Sequence, residues 1–138
     1  MTFVFSQITI DRPAEAAWQV LSDFAAACNY LSAVVECRVE GVGVGAQRIL
    51  TSADGSTIVE RLVSLDSPAH RLSYLLLSDT PFRECLTTVS VRDLGPGKSE
   101  AEWSAAFEAE GIPANEAEDI LAGFLAANCL ALKQFLER

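Results

Sequence analysis

The last segment of the chain, residues 113–138, predicts one long amphipathic helix. Pro113 suits a first helical position, acidic residues follow it, and Lys133 lies near the far end, so charges oppose the helix dipole at both ends. One broad face is expected to pack on the core. Its members are Ala117, Ile120, Leu121, Phe124, Leu125, Asn128, Ala131, Leu132 and Phe135. An apolar helix of this length constrains the fold because the remaining residues must supply an apolar surface to cover it.

Asn128 lies near the middle of that apolar face. A buried side-chain amide needs hydrogen-bond partners. Two interpretations stay open: a core asparagine bonded to a backbone group or a buried water, and a polar group that faces a cavity.

The rest of the chain is dominated by predicted strands with turn residues between them. In the clearest strand, Ala101, Trp103, Ala105, Phe107 and Ala109 alternate with polar residues, which predicts one core face and one solvent face. Strands are also predicted at 2–10, 47–51, 57–65, 71–78 and 83–93, and the chain becomes extended again from Val35. Two short helices are expected over about 13–24 and 25–34, the first capped by Asp11 and anchored by Trp18. The order predicts an α+β fold, a seven-stranded antiparallel sheet curved around the C-terminal helix.

The turn at 53–55 predicts how two of these strands pair. A three-residue loop with a left-handed glycine opposes Arg48 to Glu60 and Leu50 to Ile58. A two-residue loop would oppose Arg48 to Arg61, a like-charge pair that a sheet disfavours. We therefore expect the first register.

Composition and charge limit the classes of protein. The 138 residues are 50% hydrophobic and 21% charged, which fits one globular domain spanning 1–138 with no apolar run long enough to cross a bilayer. The net charge of −9 argues against nucleic acid or an anionic membrane surface as partner. The N-terminal residues do not resemble a signal peptide, so a cytoplasmic location is expected.

The sequence predicts no metal or cofactor site. The glycines at 41–45 open onto an extended segment instead of a helix, so they predict a hairpin and not a phosphate-binding loop. The lone His70 lies beside a turn and is expected to be solvent exposed. The cysteines show no metal-binding spacing and are expected to be free thiols: Cys28, Cys37, Cys85 and Cys129.

Several short motifs together resemble the START/SRPBCC helix-grip superfamily, which includes polyketide cyclase/dehydrase-like proteins and the birch-pollen-allergen fold. They are similar to the branch that contains abscisic-acid-receptor-like and lachrymatory-factor-synthase-like proteins. The resemblance covers nearly the whole chain. It rests on the segments 13–18, 21–24, 43–48, 54–55, 60–62 and 72–74, with Trp103 and Phe107.

The resemblance implies an internal cavity between sheet and C-terminal helix that binds a small hydrophobic molecule of lipid, polyketide or aromatic type. It also implies that Arg48 and Glu60 point into this cavity. Two departures are visible: an apolar residue near Val35 replaces the lysine with which receptor-type members bind a ligand carboxylate, and Cys85 stands where an aromatic residue is usual. With the predicted register, the expected ligand-binding residues are Leu50, Ile58, Leu62, Tyr74, Leu76, Cys85, Thr87, Trp103, Phe124 and Asn128.

Two function classes follow for this site. A binding or carrier protein needs only the cavity. A cofactor-free cyclase, dehydratase or isomerase would also use Glu60 as general acid or base, with Arg48 or Tyr74 stabilising a carbonyl oxygen that becomes negative. A third interpretation is an Arg48–Glu60 pair that is only structural.

The opposite face of the predicted sheet carries an apolar patch. Alternation places Val59, Val63, Leu75, Leu77 and Leu86 on the convex side. Contiguous apolar surface usually marks an interface, so a homodimer through this face is expected.

Overall fold

The computed structural model describes residues 1–138 as seven strands, a short α-helix, a 3-10 helix and a long C-terminal α-helix. In chain order these are β1 (Thr2–Ile10), α1 (Ala14–Ser22), the 3-10 helix (Phe24–Asn29), β2 (Val34–Glu40), β3 (Gln47–Ser52), β4 (Thr57–Asp66), β5 (Arg71–Leu76), β6 (Phe82–Gly95), β7 (Lys98–Ala109) and α2 (Ala114–Leu136). The predicted α+β fold is confirmed, and its second short helix is the 3-10 helix.

All seven strands form one antiparallel sheet in the order β1-β7-β6-β5-β4-β3-β2. The strands β2 to β7 follow one another as neighbours, whereas β1 joins the far edge beside β7. The segment with α1 and the 3-10 helix therefore carries the chain from one edge of the sheet to the other. It covers part of the concave face on the way.

The core lies between the concave face of the sheet and the helices. In β7 the predicted inner row is buried from Ala101 to Phe107 and half-buried at Ala109, and Trp103 and Phe107 are among the largest fully buried side chains. Phe107 packs edge-on against Phe82, with ring centroids 5.4 Å apart. The period-two alternation that predicted this strand thus also identified its buried face.

Helix α2 uses a narrower face than its sequence pattern predicts. Ala117, Leu121, Leu125, Cys129 and Leu132 are buried, whereas Ile120 and Phe124 are 41% and 59% exposed. The predicted face was therefore wrong on one flank. The physical reason is that α2 packs mainly on β1 and β7, at one side of the sheet, so only the side chains that point toward these strands are covered.

No apolar run long enough to cross a bilayer is expected from the sequence, yet α2 is long and apolar enough to do so by length and composition. It meets this criterion because the helix carries no charged residue between Asp119 and Lys133. A core helix meets the same criterion, and α2 packs against β1 and β7. The finding therefore does not by itself indicate a membrane protein.

The start of α1 also differs from the prediction. Its N-cap is Pro13, and no side chain caps the helix. Asp11 is held instead by its backbone N–H, which donates to Glu137 Oε2 over 2.8 Å. The cap prediction for Asp11 was therefore wrong, because a contact from the end of α2 decides its position.

Two bulges change which residues face inward. In β4 the register shifts between Leu62 and Ser64, and Ser64 Oγ lies 2.5 Å from Ser73 Oγ on the convex side. Simple alternation from the inward Leu62 predicts that Ser64 also points inward, and this prediction is wrong because of the bulge. In β6 the shift between Arg83 and Leu86 includes Glu84 at φ 52°, after which the row that begins at Cys85 is buried.

Candidate functional site

The predicted hairpin register is confirmed and brings the two candidate charged residues side by side. β3 pairs with β4 so that Arg48 lies opposite Glu60 and Leu50 opposite Ile58. The loop closes with Gly55 at φ 88°, whose N–H donates to the Ser52 carbonyl over 2.9 Å. The three-residue turn therefore places Arg48 and Glu60 next to each other on the concave face.

Arg48 and Glu60 form a largely buried ion pair. Arg48 Nε donates to Glu60 Oε1 over 2.8 Å, and the two side chains are 6% and 13% exposed. Arg48 Nη1 donates to the Phe24 carbonyl over a longer 3.3 Å. The 3-10 helix thus contributes one backbone group to the site.

Two aromatic rings flank the guanidinium group. Arg48 Cζ lies 4.1 Å from the ring centroid of Phe24 and 4.8 Å from that of Tyr74. The centroids of the two rings are 6.3 Å apart. These distances place the cation in the corner between the rings, where both contribute cation–π attraction and limit its movement.

The buried position changes the protonation behaviour of several groups. Burial alone would lower the pKa of Arg48, but the nearby Glu60 carboxylate and the Tyr74 and Tyr30 hydroxyls raise it above its ordinary value. Burial raises the pKa of Tyr30 to about 12 and that of Tyr74 well above its ordinary value. Near neutral pH the site therefore holds a permanent cation beside two uncharged phenols.

Part of the guanidinium edge is free. Within the protein, Arg48 uses only Nε and one N–H of Nη1, and Nη2 makes no hydrogen bond. The only side-chain polar atom that is fully buried and has no partner is Ser99 Oγ. Arg48 Nη2 also has no partner, so it is not fully buried and must reach accessible space. The Tyr30 hydroxyl and Glu60 Oε2 likewise make no hydrogen bond within the protein and are not fully buried.

The residues expected to line a cavity fall into three groups. Leu50, Leu62, Tyr74, Cys85, Thr87 and Trp103 are buried. Leu76 and Asn128 are half-buried, and the Asn128 amide makes no hydrogen bond within the protein. Ile58 and Phe124 are 41% and 59% exposed, so they do not belong to the closed interior.

The structure adds three residues to the site that sequence reasoning did not assign to it: Phe24, Tyr30 and Cys37. Phe24 falls at the end of the first short helix predicted from the sequence, and Tyr30 falls within the second. The hairpin register locates Arg48 but says nothing of the 3-10 helix that crosses above it. No local sequence signal identifies such a crossing, because it depends on how the chain packs between the sheet edges.

The thiols near the site are poor nucleophiles. Burial raises the pKa of Cys37, despite an opposing effect of Arg48, and burial also raises the pKa of Cys85. Cys85 lies 3.9 Å from the Thr87 hydroxyl and makes no contact with the single histidine. The thiolate that covalent catalysis needs is therefore disfavoured at both positions.

The sequence predicted that His70 is solvent exposed, but its side chain is only 24% exposed. Its ring stacks on Trp18 with centroids 5.5 Å apart, and its Nε2 lies 3.3 Å from Glu15 Oε2.

His70 borders a surface pocket of about 440 Å³ between α1 and the β6–β7 turn, and a second pocket of about 480 Å³ lies near Arg71 and Glu102. Both pockets lie away from Arg48, and no group of histidine, cysteine and acidic side chains could hold a metal ion.

The arrangement around Arg48 can bind and orient a hydrogen-bond acceptor in apolar surroundings. The unused guanidinium N–H groups and the tyrosine hydroxyls are donors, and Glu60 Oε2 is an acceptor. The same groups could stabilise an oxyanion and exchange a proton with a bound molecule.

Comparisons with known proteins agree with this fold. The profile of the family described as "Polyketide cyclase / dehydrase and lipid transport" matches residues 1–138. An uncharacterised protein from Bacillus thuringiensis is 22% identical with a TM-score of 0.92, and the match covers 99% of this chain and 100% of that one. The Zhui aromatase/cyclase from Streptomyces sp. R1128 is 17% identical with a TM-score of 0.82, over 99% and 94% of the two chains.

Norcoclaurine synthase from Thalictrum flavum, in complex with dopamine and hydroxybenzaldehyde, is 16% identical with a TM-score of 0.79, over 99% and 86% of the chains. No curated protein matches the chain. At these identities the likeness to solved structures shows the fold alone.

Proposed function

Because the chain belongs to the polyketide cyclase/dehydrase and lipid transport family, we propose that it binds a small, mostly apolar molecule on the concave side of its sheet. The polar end of that molecule meets Arg48 and Glu60. Leu50, Leu62, Leu76, Cys85, Thr87, Trp103 and Asn128 surround its apolar part.

One observation carries this proposal: the unused edge of the Arg48 guanidinium group. The guanidinium group is held between the rings of Phe24 and Tyr74, yet Nη2 reaches accessible space without a partner in the protein. Few precisely placed polar groups within an apolar surface are typical of small-molecule sites. A pair that served only to stabilise the fold would be expected to use more of the hydrogen-bond donors of Arg48.

The exposed residues of the predicted lining fit the mouth of such a site. Ile58 lies on the concave face because it pairs with the buried Leu50, yet it is 41% exposed. Since α2 packs on β1 and β7, it leaves this side of β4 uncovered. Ile58, together with Phe124 on the exposed flank of α2, is proposed to contact a ligand as it enters.

The test is a titration of the purified protein with Nile red, an uncharged apolar dye, combined with native mass spectrometry of freshly purified protein for a co-purifying compound. The matched variants are Ile58→Trp and Val59→Trp, which add the same bulk to opposite faces of β4. Saturable dye binding is expected in the unmodified protein and in Val59→Trp. Ile58→Trp narrows the mouth and is expected to weaken binding by about tenfold.

Equal dye affinity in the two variants would overturn the assignment of the site to the concave face. Absence of both dye binding and a co-purifying compound would overturn the binding function itself. Far-ultraviolet circular dichroism confirms that each variant is folded before its affinity is compared.

A second function is favoured by the free Oε2 atom of Glu60 beside the Arg48 cation. The chain would then act as a cofactor-free cyclase, dehydratase or isomerase. Glu60 would remove a proton beside a substrate carbonyl and return it elsewhere, while Arg48 stabilises the oxyanion. Two similar folds carry the names of an aromatase/cyclase and a synthase, which supports this candidate by analogy of fold.

Glu60→Gln tests the enzyme hypothesis with aromatic polyketide analogues as substrates. The amide keeps the shape of the side chain but cannot transfer the proton, so turnover is expected to be lost while affinity for a neutral apolar ligand stays within about tenfold. Unchanged turnover in Glu60→Gln would refute the catalytic role and favour the carrier function.

A further inference from the structure

The charge balance around Arg48 limits which ligands the site accepts. Arg48 and Glu60 are the only opposite charges within the buried cluster and neutralise each other over 2.8 Å. The tyrosine hydroxyls remain protonated near neutral pH because burial raises the pKa of Tyr30 and Tyr74. The polar end of the site is therefore rich in donors but carries no net charge.

No second cation is buried beside Arg48 to balance a charged ligand, because Arg48 is the only buried arginine or lysine. Lys133 Nζ is bonded to the Thr9 carbonyl and Glu137, and Lys98 lies near Asp11. In the strands beside Arg48, Arg38 and Arg61 alternate with inward residues, so they lie on the convex face; Arg38 is also paired with Glu40 there. A carboxylate placed at the Arg48 edge would thus leave one uncompensated negative charge next to Glu60.

That uncompensated charge is costly in this position. Burying a charge without a counter-ion is strongly unfavourable, and repulsion between like charges is stronger in a buried site than in water. A neutral carbonyl oxygen accepts the same hydrogen bonds from Arg48 and the tyrosines without this cost. The donor arrangement therefore favours a neutral acceptor and disfavours an acid.

Resting on the function proposed above, we propose that this site selects neutral carbonyl-bearing ligands against carboxylates, and that Glu60 determines this selectivity. Glu60 acts by neutralising Arg48, so its removal would leave an unpaired buried cation that attracts an anion. A loss of the Glu60 charge should therefore raise the affinity for carboxylates and reduce or abolish the preference for neutral ligands.

The experiment compares naphthyl methyl ketone with naphthoate, two probes of nearly equal shape that differ in charge near neutral pH. The unmodified protein is expected to bind the ketone at least about tenfold more tightly than the carboxylate. In Glu60→Gln the carboxylate is expected to gain about tenfold or more, while affinity for the ketone changes less. Glu102→Gln removes the same charge from the convex face and is expected to leave both affinities unchanged.

The outcomes separate this inference from the proposed function. If neither probe binds the unmodified protein, the binding function is overturned. If both bind and the carboxylate is equal or preferred, only the charge selectivity is overturned. If the ketone is preferred but Glu60→Gln does not raise carboxylate affinity, Glu60 does not determine the charge selectivity, and that part of the inference is overturned. Ketone binding that is retained in Glu60→Gln shows that the site of the variant is intact.

Discussion

The ion pair between Arg48 and Glu60 dominates the molecule at the scale of single residues. Taking two charges out of water costs free energy that their attraction and hydrogen bonds only partly offset. The cost is reduced here by the short Nε–Oε1 contact and by two aromatic rings near the guanidinium group. Removing one partner should therefore harm the fold more than removing both.

Arg48→Met is expected to lower the free energy of unfolding by about 3 kcal/mol, because it leaves Glu60 buried without its cation. The double variant Arg48→Met with Glu60→Leu is expected to recover to within about 1 kcal/mol of the unmodified protein. Urea unfolding followed by circular dichroism measures both. A double variant as unstable as the sum of its single changes would contradict this account.

Ser99 is a second residue whose energetics can be tested. Its hydroxyl is fully buried in β7 and has no hydrogen-bond partner. Because an unpaired buried hydroxyl costs desolvation energy, Ser99→Ala is expected to raise the free energy of unfolding by about 1 kcal/mol. Ser73→Ala is the control: its hydroxyl is bonded to Ser64, and its removal is expected to cost about 1 kcal/mol. A melting temperature of Ser99→Ala below that of the unmodified protein would reject this interpretation.

At the scale of elements, α2 shows how packing chooses among apolar faces. Its sequence is apolar on more than half of its circumference, so periodicity alone does not identify the covered side. The two ends are held by different means. Pro113 is the N-cap residue, one position before the first helical residue Ala114, and Lys133 Nζ donates to the Thr9 carbonyl of β1 over 2.9 Å. Contact with β1 and β7 then determines the rotation of the helix about its axis.

Adjacent residues on α2 test this rotation directly. Leu125 is 3% exposed, whereas Phe124 is 59% exposed. Leu125→Ala is expected to cost about 3 kcal/mol through lost burial and a residual cavity, and Phe124→Ala less than about 1 kcal/mol although it removes more atoms. Chemical denaturation measures the free energy of unfolding of both variants. A larger decrease for Phe124→Ala than for Leu125→Ala would mean that the helix buries the other flank.

At the scale of the whole molecule, the two faces of the sheet have different roles. The concave face holds the core and the candidate site, whereas the convex face is open. There, one cross-strand row joins Leu75 to Leu86, Leu86 to Ala106 and Ala106 to Phe3. Arg61 lies opposite Leu75 and ends this apolar row.

The homodimer expected from the sequence stays a prediction for this face. Sedimentation at micromolar concentration is expected to give twice the monomer mass of 14.8 kDa. Leu75→Glu places a charge within the apolar row and is expected to dissociate the dimer, whereas Gln7→Glu, outside the row, is not. A monomer mass for the unmodified protein would remove the prediction.

Local sequence was sufficient for the strands, for the long helix and for the pairing of Arg48 with Glu60. The reason is that these features depend on short-range rules: alternation along a strand, apolar spacing along a helix, and the loop length and charges of one hairpin. The resemblance to a known superfamily was also sufficient for the fold. The homodimer and the roles of the site residues stay predictions.

Only the tertiary structure decided which side of α2 is buried, that Ser64 turns outward, that His70 stacks on Trp18, and that Phe24 and Tyr30 join the site. Each depends on contacts between segments far apart in the chain. A bulge shifts every residue after it, and a helix that is apolar on several sides takes its orientation from its neighbours. The sequence contains the charges of Arg48 and Glu60, but their burial beside the phenols of Tyr30 and Tyr74 depends on the packing of the 3-10 helix against the sheet. The proposed ligand preference rests on that burial.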